Sequence, residues 1–257
     1  MSRIEVTQFE YFSDNYGFLV HDKHSRKTIA IDAGDAISYN KALDEKGWHL
    51  SEIWVTHHHW DHTDGIDSLY ERWRCKVIGP ASHSTVPISH LSEGMREKDS
   101  FMFAESPVKI LHTPGHTLDM INFYLPSEDI LFSGDTLFSL GCGKVFEGDM
   151  DMMYNSLAKI STLPDKTIIY CSHEYTEANG KFALSVEPQN RDLISRFNEV
   201  KELVASDKST IPTNLELEKK TNPFLRTTST SIREKFNLSN ASESEVFSAL
   251  RRAKDKF

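Results

Sequence analysis

At 257 residues, 39% hydrophobic and 26% charged, the chain falls in the ordinary globular class and is long enough for one sizeable domain or a domain with an appendage. Its formal net charge of −9 repels phosphate backbones, which argues against a nucleic-acid partner. Cys75, Cys142 and Cys171 are odd in number and far apart, and no apolar run has the length of a bilayer span or the pattern of a secretory signal. A cytoplasmic protein with no membrane partner is therefore expected.

The chain opens with short alternating runs, IEVTQFEYF, NYGFLVHD and TIAIDAG, that read as β-strands, the last two joined by the polar turn KHSRK. A helical period spans Ser38 to Trp48. The compact strand IWVT then runs straight into THHHWDHTDG, after which Ile66, Leu69, Tyr70 and Trp73 recur at helical spacing. The same strand-end arrangement returns three times: PVKILH leads to His116, DILFSG to Asp135, and TIIYCS to His173. Strands lying side by side would deliver these loops to one sheet edge. From about Ala178 the sequence turns polar and helical, predicting a first domain over residues 1–176 and a small helical domain over residues 177–257.

Four of the 12 histidines fall between Thr56 and His62. In extended backbone, His57 and His59 project to one side and His58 to the other, so two imidazoles can grip one cation. Asp61 and His62, further along the loop, suit a second ion. With His116, Asp135 and His173 the donors are too many for one tetrahedral ion. Two ions sharing a bridging carboxylate accommodate them: His57, His59, His116 and Asp135 on one, and Asp61, His62, His173 and Asp135 on the other. Crowded imidazoles and carboxylates beside a core are costly unless a cation or hydrogen bonds compensate them. Isolated histidines such as His49, His83, His90 and His112 fit ordinary surface or core roles. Nitrogen and oxygen ligands without thiolate suit zinc, and also iron or manganese. Such a pair of ions brings bound water near neutrality, and the expected chemistry is hydroxide attack on a carbonyl, with Asp61, His62 and Asp135 as the catalytic ligands.

The Thr-His-x-His-x-Asp-His pattern at Thr56 to His62, followed by His116, Asp135 and His173, resembles the metallo-β-lactamase superfamily. The resemblance covers roughly residues 1 to 175 and implies an αββα sandwich of the α/β class with a two-metal site at one edge. GCGKVFEG, CSHEYT, TNPFLR and RRAKDKF resemble the stretches that mark the glyoxalase II family within it, extending the likeness to nearly the whole chain. That family hydrolyses S-D-lactoylglutathione and related 2-hydroxyacylglutathiones, with a helical C-terminal domain that helps bind glutathione. Carried over residue by residue, the resemblance implies substrate contacts at Lys144, Tyr175, Arg251 and Lys254, and at Phe146, where many members have tyrosine. Asp119 and Met120 stand where the family often has Gly-His.

The last helix supports this reading on its own terms. Ser242 and Glu245 predict a capping box, and Val246, Phe247, Leu250, Ala253 and Phe257 predict an apolar stripe. Arg251 and Lys254 fall on one flank of it, able to meet an anionic ligand, while Arg252 and Lys256 fall on the other; composition alone favours a basic end that merely complements the helix dipole, and the family resemblance reverses that preference. The expected partner is a small glutathione thioester, acted on by a monomer. The competing readings are a mononuclear iron glutathione persulfide dioxygenase, a nuclease or RNA-binding protein on the same sandwich, and a β-lactamase or lactonase. Retention of the second metal set argues against the dioxygenase, and the negative charge against the nuclease.

Overall fold

The computed structural model describes residues 3–81 and 86–257; His83 lies outside the described residues. Its contacts group the chain into two compact units, residues 1–112 with 119–134, and residues 113–118 with 135–257.

In the first unit, β1 (Ile4–Tyr11), β2 (Asn15–Asp22), β3 (Thr28–Ile31), β4 (Leu50–Trp54), β5 (Lys76–Pro80) and β6 (Leu91–Met95) form a sheet in chain order. It is antiparallel as far as β3 and parallel from there on. Helices α1 (Ala36–Lys46), α2 (Trp60–Thr63) and α3 (Ile66–Trp73) lie within the connections between β3 and β5. The first begins two residues earlier than the periodicity predicts, because the Asp35 carboxylate accepts from the backbone N–H groups of Ile37 and Ser38; Gly47, at φ 65°, ends it.

Period-two alternation decides what each face of this sheet covers. Leu19, Ala30, Ile53, Val55 and Val77 join Tyr39, Leu43, Ile66 and Leu69 of the helices in one core. Trp54 points the other way, its ring 5.0 Å from Phe101 and 5.4 Å from Phe103. Those phenylalanines belong to β7 (Ser100–Phe103), which runs antiparallel with β8 (Ser106–His112), β9 (Ile121–Leu125) and β10 (Ile130–Gly134) in a second sheet. Helices, sheet and sheet thus stack in layers, the arrangement expected of this fold class.

The second unit contains the hairpin β11 (Leu137–Phe138) and β12 (Gly141–Cys142), α4 (Met150–Ser161), and β13 (Ile168–Cys171) paired with the short β14 (Thr213–Asn214). It also contains α5 (Thr176–Val186), α6 (Arg191–Ala205), α7 (Leu215–Thr221), a 3-10 turn at Pro223–Leu225, α8 (Thr230–Lys235) and α9 (Glu243–Lys254). The short β14 lies in a stretch expected to be purely helical. The grouping differs from a cut after residue 176 because α4 packs on α9 and α5 on β12, tying residues 135–171 to the C-terminal helices. The predicted capping box of α9 is formed. Its buried stripe comprises Val246, Phe247, Leu250 and Arg251, whereas Phe257 lies past the helix end and is 65% exposed.

Candidate metal centre

The first unit delivers its donors on the loop after β4. His57 Nε2 and His59 Nδ1 lie 3.0 Å apart, close to the spacing of about 3.3 Å that two nitrogens on one tetrahedral ion adopt. His57 and His62 have ring centroids 4.1 Å apart, and both are fully buried. His58 faces away, as the alternation predicts, and meets Asp119 at 3.0 Å.

Asp32 organises this loop. It ends β3 at φ 57° and accepts from Thr56 N at 2.7 Å, Thr56 Oγ1 at 3.0 Å and His62 Nδ1 at 2.8 Å. Those bonds fix proton positions. A carboxylate accepts only, so His62 carries a proton on Nδ1, and in the neutral ring its Nε2 is a lone pair, 3.4 Å from Asp61 Oδ2. Because Thr56 donates its hydroxyl proton to Asp32, Thr56 Oγ1 accepts from His57 Nδ1 at 3.0 Å, leaving the Nε2 of His57 as a lone pair in the neutral ring as well. Asn15 and Tyr11 hold Asp61, the amide donating to Oδ2 at 2.9 Å and the phenol to the backbone carbonyl at 2.8 Å. Gly34 is required here, since a Cβ would lie 1.9 Å from that same carbonyl oxygen.

The second unit supplies His116, Asp135 and His173, all buried. Asp135 Oδ2 lies 3.3 Å from His116 Nε2 and 3.3 Å from His173 Nε2. His116 donates its Nδ1 proton to the Lys144 carbonyl at 2.8 Å, so the Nε2 facing Asp135 is a lone pair in the neutral ring. Lone pair facing carboxylate recurs in both units, and such an arrangement calls for a cation or a proton between the two acceptors. All seven predicted donors are among the described residues able to hold a metal ion.

All five proposed substrate residues lie in the second unit, and three of them stand beside its histidines. The Lys144 ammonium stands 5.3 Å over the Phe146 ring, and that ring meets His116 edge-on at 5.2 Å. Tyr175 stacks flat on His173 at 4.8 Å. The turn carrying Lys144 packs tightly beside Asp135: a Cβ on Gly143 would lie 1.9 Å from the Asp135 carbonyl oxygen. Arg251 departs from the picture of an open cationic flank. It is 5% exposed, donates to the Cys142 carbonyl at 2.9 Å and pairs with Asp255 at 3.1 Å, because a buried guanidinium must find acceptors. Lys254 is half-buried and donates to the Ala178 carbonyl at 3.4 Å; burial, with Arg251 nearby, lowers its pKa.

Two of the other described histidines have ordinary surroundings. His90 stacks on Tyr70, and His49 meets Trp73 edge-on. Cys75, Cys142 and Cys171 are buried and unbonded, and burial pushes Cys142 up to about 11 and Cys171 up to about 12, so neither offers a thiolate. Among the described residues no helix is long and apolar enough to cross a membrane. Asp32 is the functional residue that sequence reading missed; its signal is an acid ending a strand in TIAIDAG, before a small-residue turn.

Comparison with known proteins joins the two donor sets in one pattern. Residues 13–173, which include all seven donors, match the metallo-beta-lactamase superfamily, and residues 174–257 match the hydroxyacylglutathione hydrolase C-terminus. The hydroxyacylglutathione hydrolase of Brucella anthropi is 43% identical over 255 residues, covering 99% of this chain and 98% of that protein. Among solved structures, ETHE1 from Myxococcus xanthus matches with a TM-score of 0.66 at 24% identity, covering 97% of each chain. A metallo-beta-lactamase from Staphylococcus aureus matches at 0.67 and 22% identity, covering 99% of this chain and 72% of the other; both establish the fold.

Proposed function

Because this chain belongs to the metallo-beta-lactamase superfamily and, within it, to the hydroxyacylglutathione hydrolase family, we propose that it hydrolyses S-D-lactoylglutathione and related 2-hydroxyacylglutathiones to glutathione and the hydroxy acid. The observation that carries this reading is Asp135 Oδ2 standing 3.3 Å from the Nε2 of both His116 and His173, which supports a carboxylate that would be shared by two ions. In this reading His57, His59, His116 and Asp135 hold one divalent ion, and Asp61, His62, His173 and Asp135 a second. Zinc is the expected metal, and the donor set also suits iron or manganese. When bound, such a pair acidifies water to near neutrality and stabilises the negative charge that develops on a carbonyl under attack.

The chain's own residues supply the rest. Asp32, Thr56 and the Lys144 carbonyl hold the imidazoles of His62, His57 and His116 in the tautomer that presents Nε2, so little reorganisation is needed when an ion binds. Lys144 and Lys254 supply charge for the glutathione carboxylates, and Tyr175 supplies a flat face and a hydroxyl beside His173. Arg251 contributes by gripping the Cys142 carbonyl, two residues before Lys144. Residues 177–257 act as the glutathione-binding domain, supported by the C-terminal family match. A monomer in a reducing cytoplasm belongs to the same reading, and three unbonded thiols fit that compartment.

Loss of thioester absorbance with S-D-lactoylglutathione tests the proposal. Hydrolysis is expected, with Lys144→Ala raising KM more than it lowers kcat, as loss of a binding contact does. A metal-loaded protein that leaves the thioester intact would contradict it.

A further inference from the structure

His58 is the one histidine of the cluster with no place among the proposed metal ligands, and Asp119 stands where the resembled family often has glycine. The structure pairs them. His58 Nδ1 lies 3.0 Å from Asp119 Oδ1, with the imidazole 8% and the carboxylate 1% exposed. A buried carboxylate needs donors, and a buried imidazole N–H needs an acceptor; the contact meets both needs.

The pair sits where it controls geometry. Ile121, two residues after Asp119, donates its backbone N–H to the Thr56 carbonyl at 2.9 Å, so the approach to β9 is attached to the donor loop at residues 56 and 58. Thr63 Oγ1 holds the His59 carbonyl from the other side at 3.0 Å. Residue 58 is the backbone link between His57 and His59, and any rotation there re-aims both rings, now 4.7 Å apart between centroids.

We propose that Asp119 is a positioning residue: by holding the His58 ring it fixes the backbone twist that makes His57 and His59 converge on a single cation. The inference rests on the metal-binding role given above to His57 and His59.

The test is zinc affinity of the full-length protein, measured by competition with a chromophoric chelator, beside thermal unfolding of the metal-free protein. Asp119→Ala is expected to weaken zinc binding about tenfold, the low end of the range for groups that orient ligands. Asp119→Asn, whose side-chain oxygen still accepts from His58, should stay within about threefold of the parent. His58→Ala should reproduce the alanine loss, and the double variant should add little, because the two residues act as one unit. His58→Ala also serves as the primary variant if Asp119→Ala does not fold. Affinities within about twofold of the parent in folded variants, or fully additive losses, would overturn the proposal. A parent protein that binds zinc but leaves S-D-lactoylglutathione intact sinks the thioesterase reading alone, whereas one that binds no zinc sinks both.

Discussion

Asp32 holds a backbone conformation, φ 57°, that few residues other than glycine accept, and three hydrogen bonds to one carboxylate make it affordable. Asp32→Ala should release the His62 ring and lower metal affinity about 10- to 100-fold; an unchanged affinity in a folded variant would remove Asp32 from the site. The role was illegible in the sequence because it arises from pairing. Thr56 reaches Asp32 only because β3 and β4 run side by side in parallel, a long-range fact. The candidate donors themselves were legible, since residue type and a spacing of two need no tertiary knowledge. Phe146, 60% exposed beside Lys144 and His116, tests a subtler reading. Phe146→Tyr should restore a hydrogen bond to the substrate and lower KM about two- to fourfold, the small end for a neutral bond at an exposed position. No change in KM would mean that the hydroxyl has no partner here.

Among the elements, the β11–β12 hairpin is what the first residues of TNPFLR hold in place. Asn222 donates to the Gly141 carbonyl at 2.9 Å and to the Phe138 carbonyl at 3.2 Å. Glu218, fully buried, accepts from Leu140 N at 2.8 Å, Thr213 Oγ1 at 2.7 Å and Asn222 Nδ2 at 3.0 Å. This network braces the hairpin between Asp135 and Lys144. Burial raises the Glu218 carboxyl above its ordinary range against those three donors. Glu218→Gln, with Thr213 rotating its hydroxyl to accept, should lie within about 1 kcal/mol of the parent in denaturant unfolding. Glu218→Leu orphans the Leu140 N–H and should cost about 1 to 3 kcal/mol; equal losses in the two variants would refute the account. The sequence showed TNPFLR only as a family likeness, because its partners lie some eighty residues upstream. The burial of Arg251 was illegible for a related reason: helical periodicity gives the angle of a side chain but not what packs over it.

For the molecule as a whole, stability and function rest on separate charges. Burial alone would raise the Asp22 carboxyl, but hydrogen bonds from Arg3 and Ser25 overcome that and hold it at about 2. A depressed folded pKa contributes stability that is fully present above the unfolded value of about 3.9 and disappears as pH falls through about 2. Asp22→Asn should therefore flatten the loss of stability between pH 4 and pH 2, by on the order of 2 kcal/mol; parallel curves for variant and parent would contradict it. The layered fold and the strand-end placement of the donors were legible because hydrophobic period and strand-terminal polar residues are local signals. The grouping of residues 135–171 with the C-terminal helices was not, since composition does not report which helix packs on which strand. The central claim, a binuclear thioester hydrolase, is tested most directly by measuring metal content by elemental analysis together with S-D-lactoylglutathione hydrolysis before and after chelation. The account predicts about two metals per chain and hydrolysis that chelation abolishes and metal restores. One iron per chain with no thioesterase activity, even after reconstitution with zinc, iron or manganese, would contradict it.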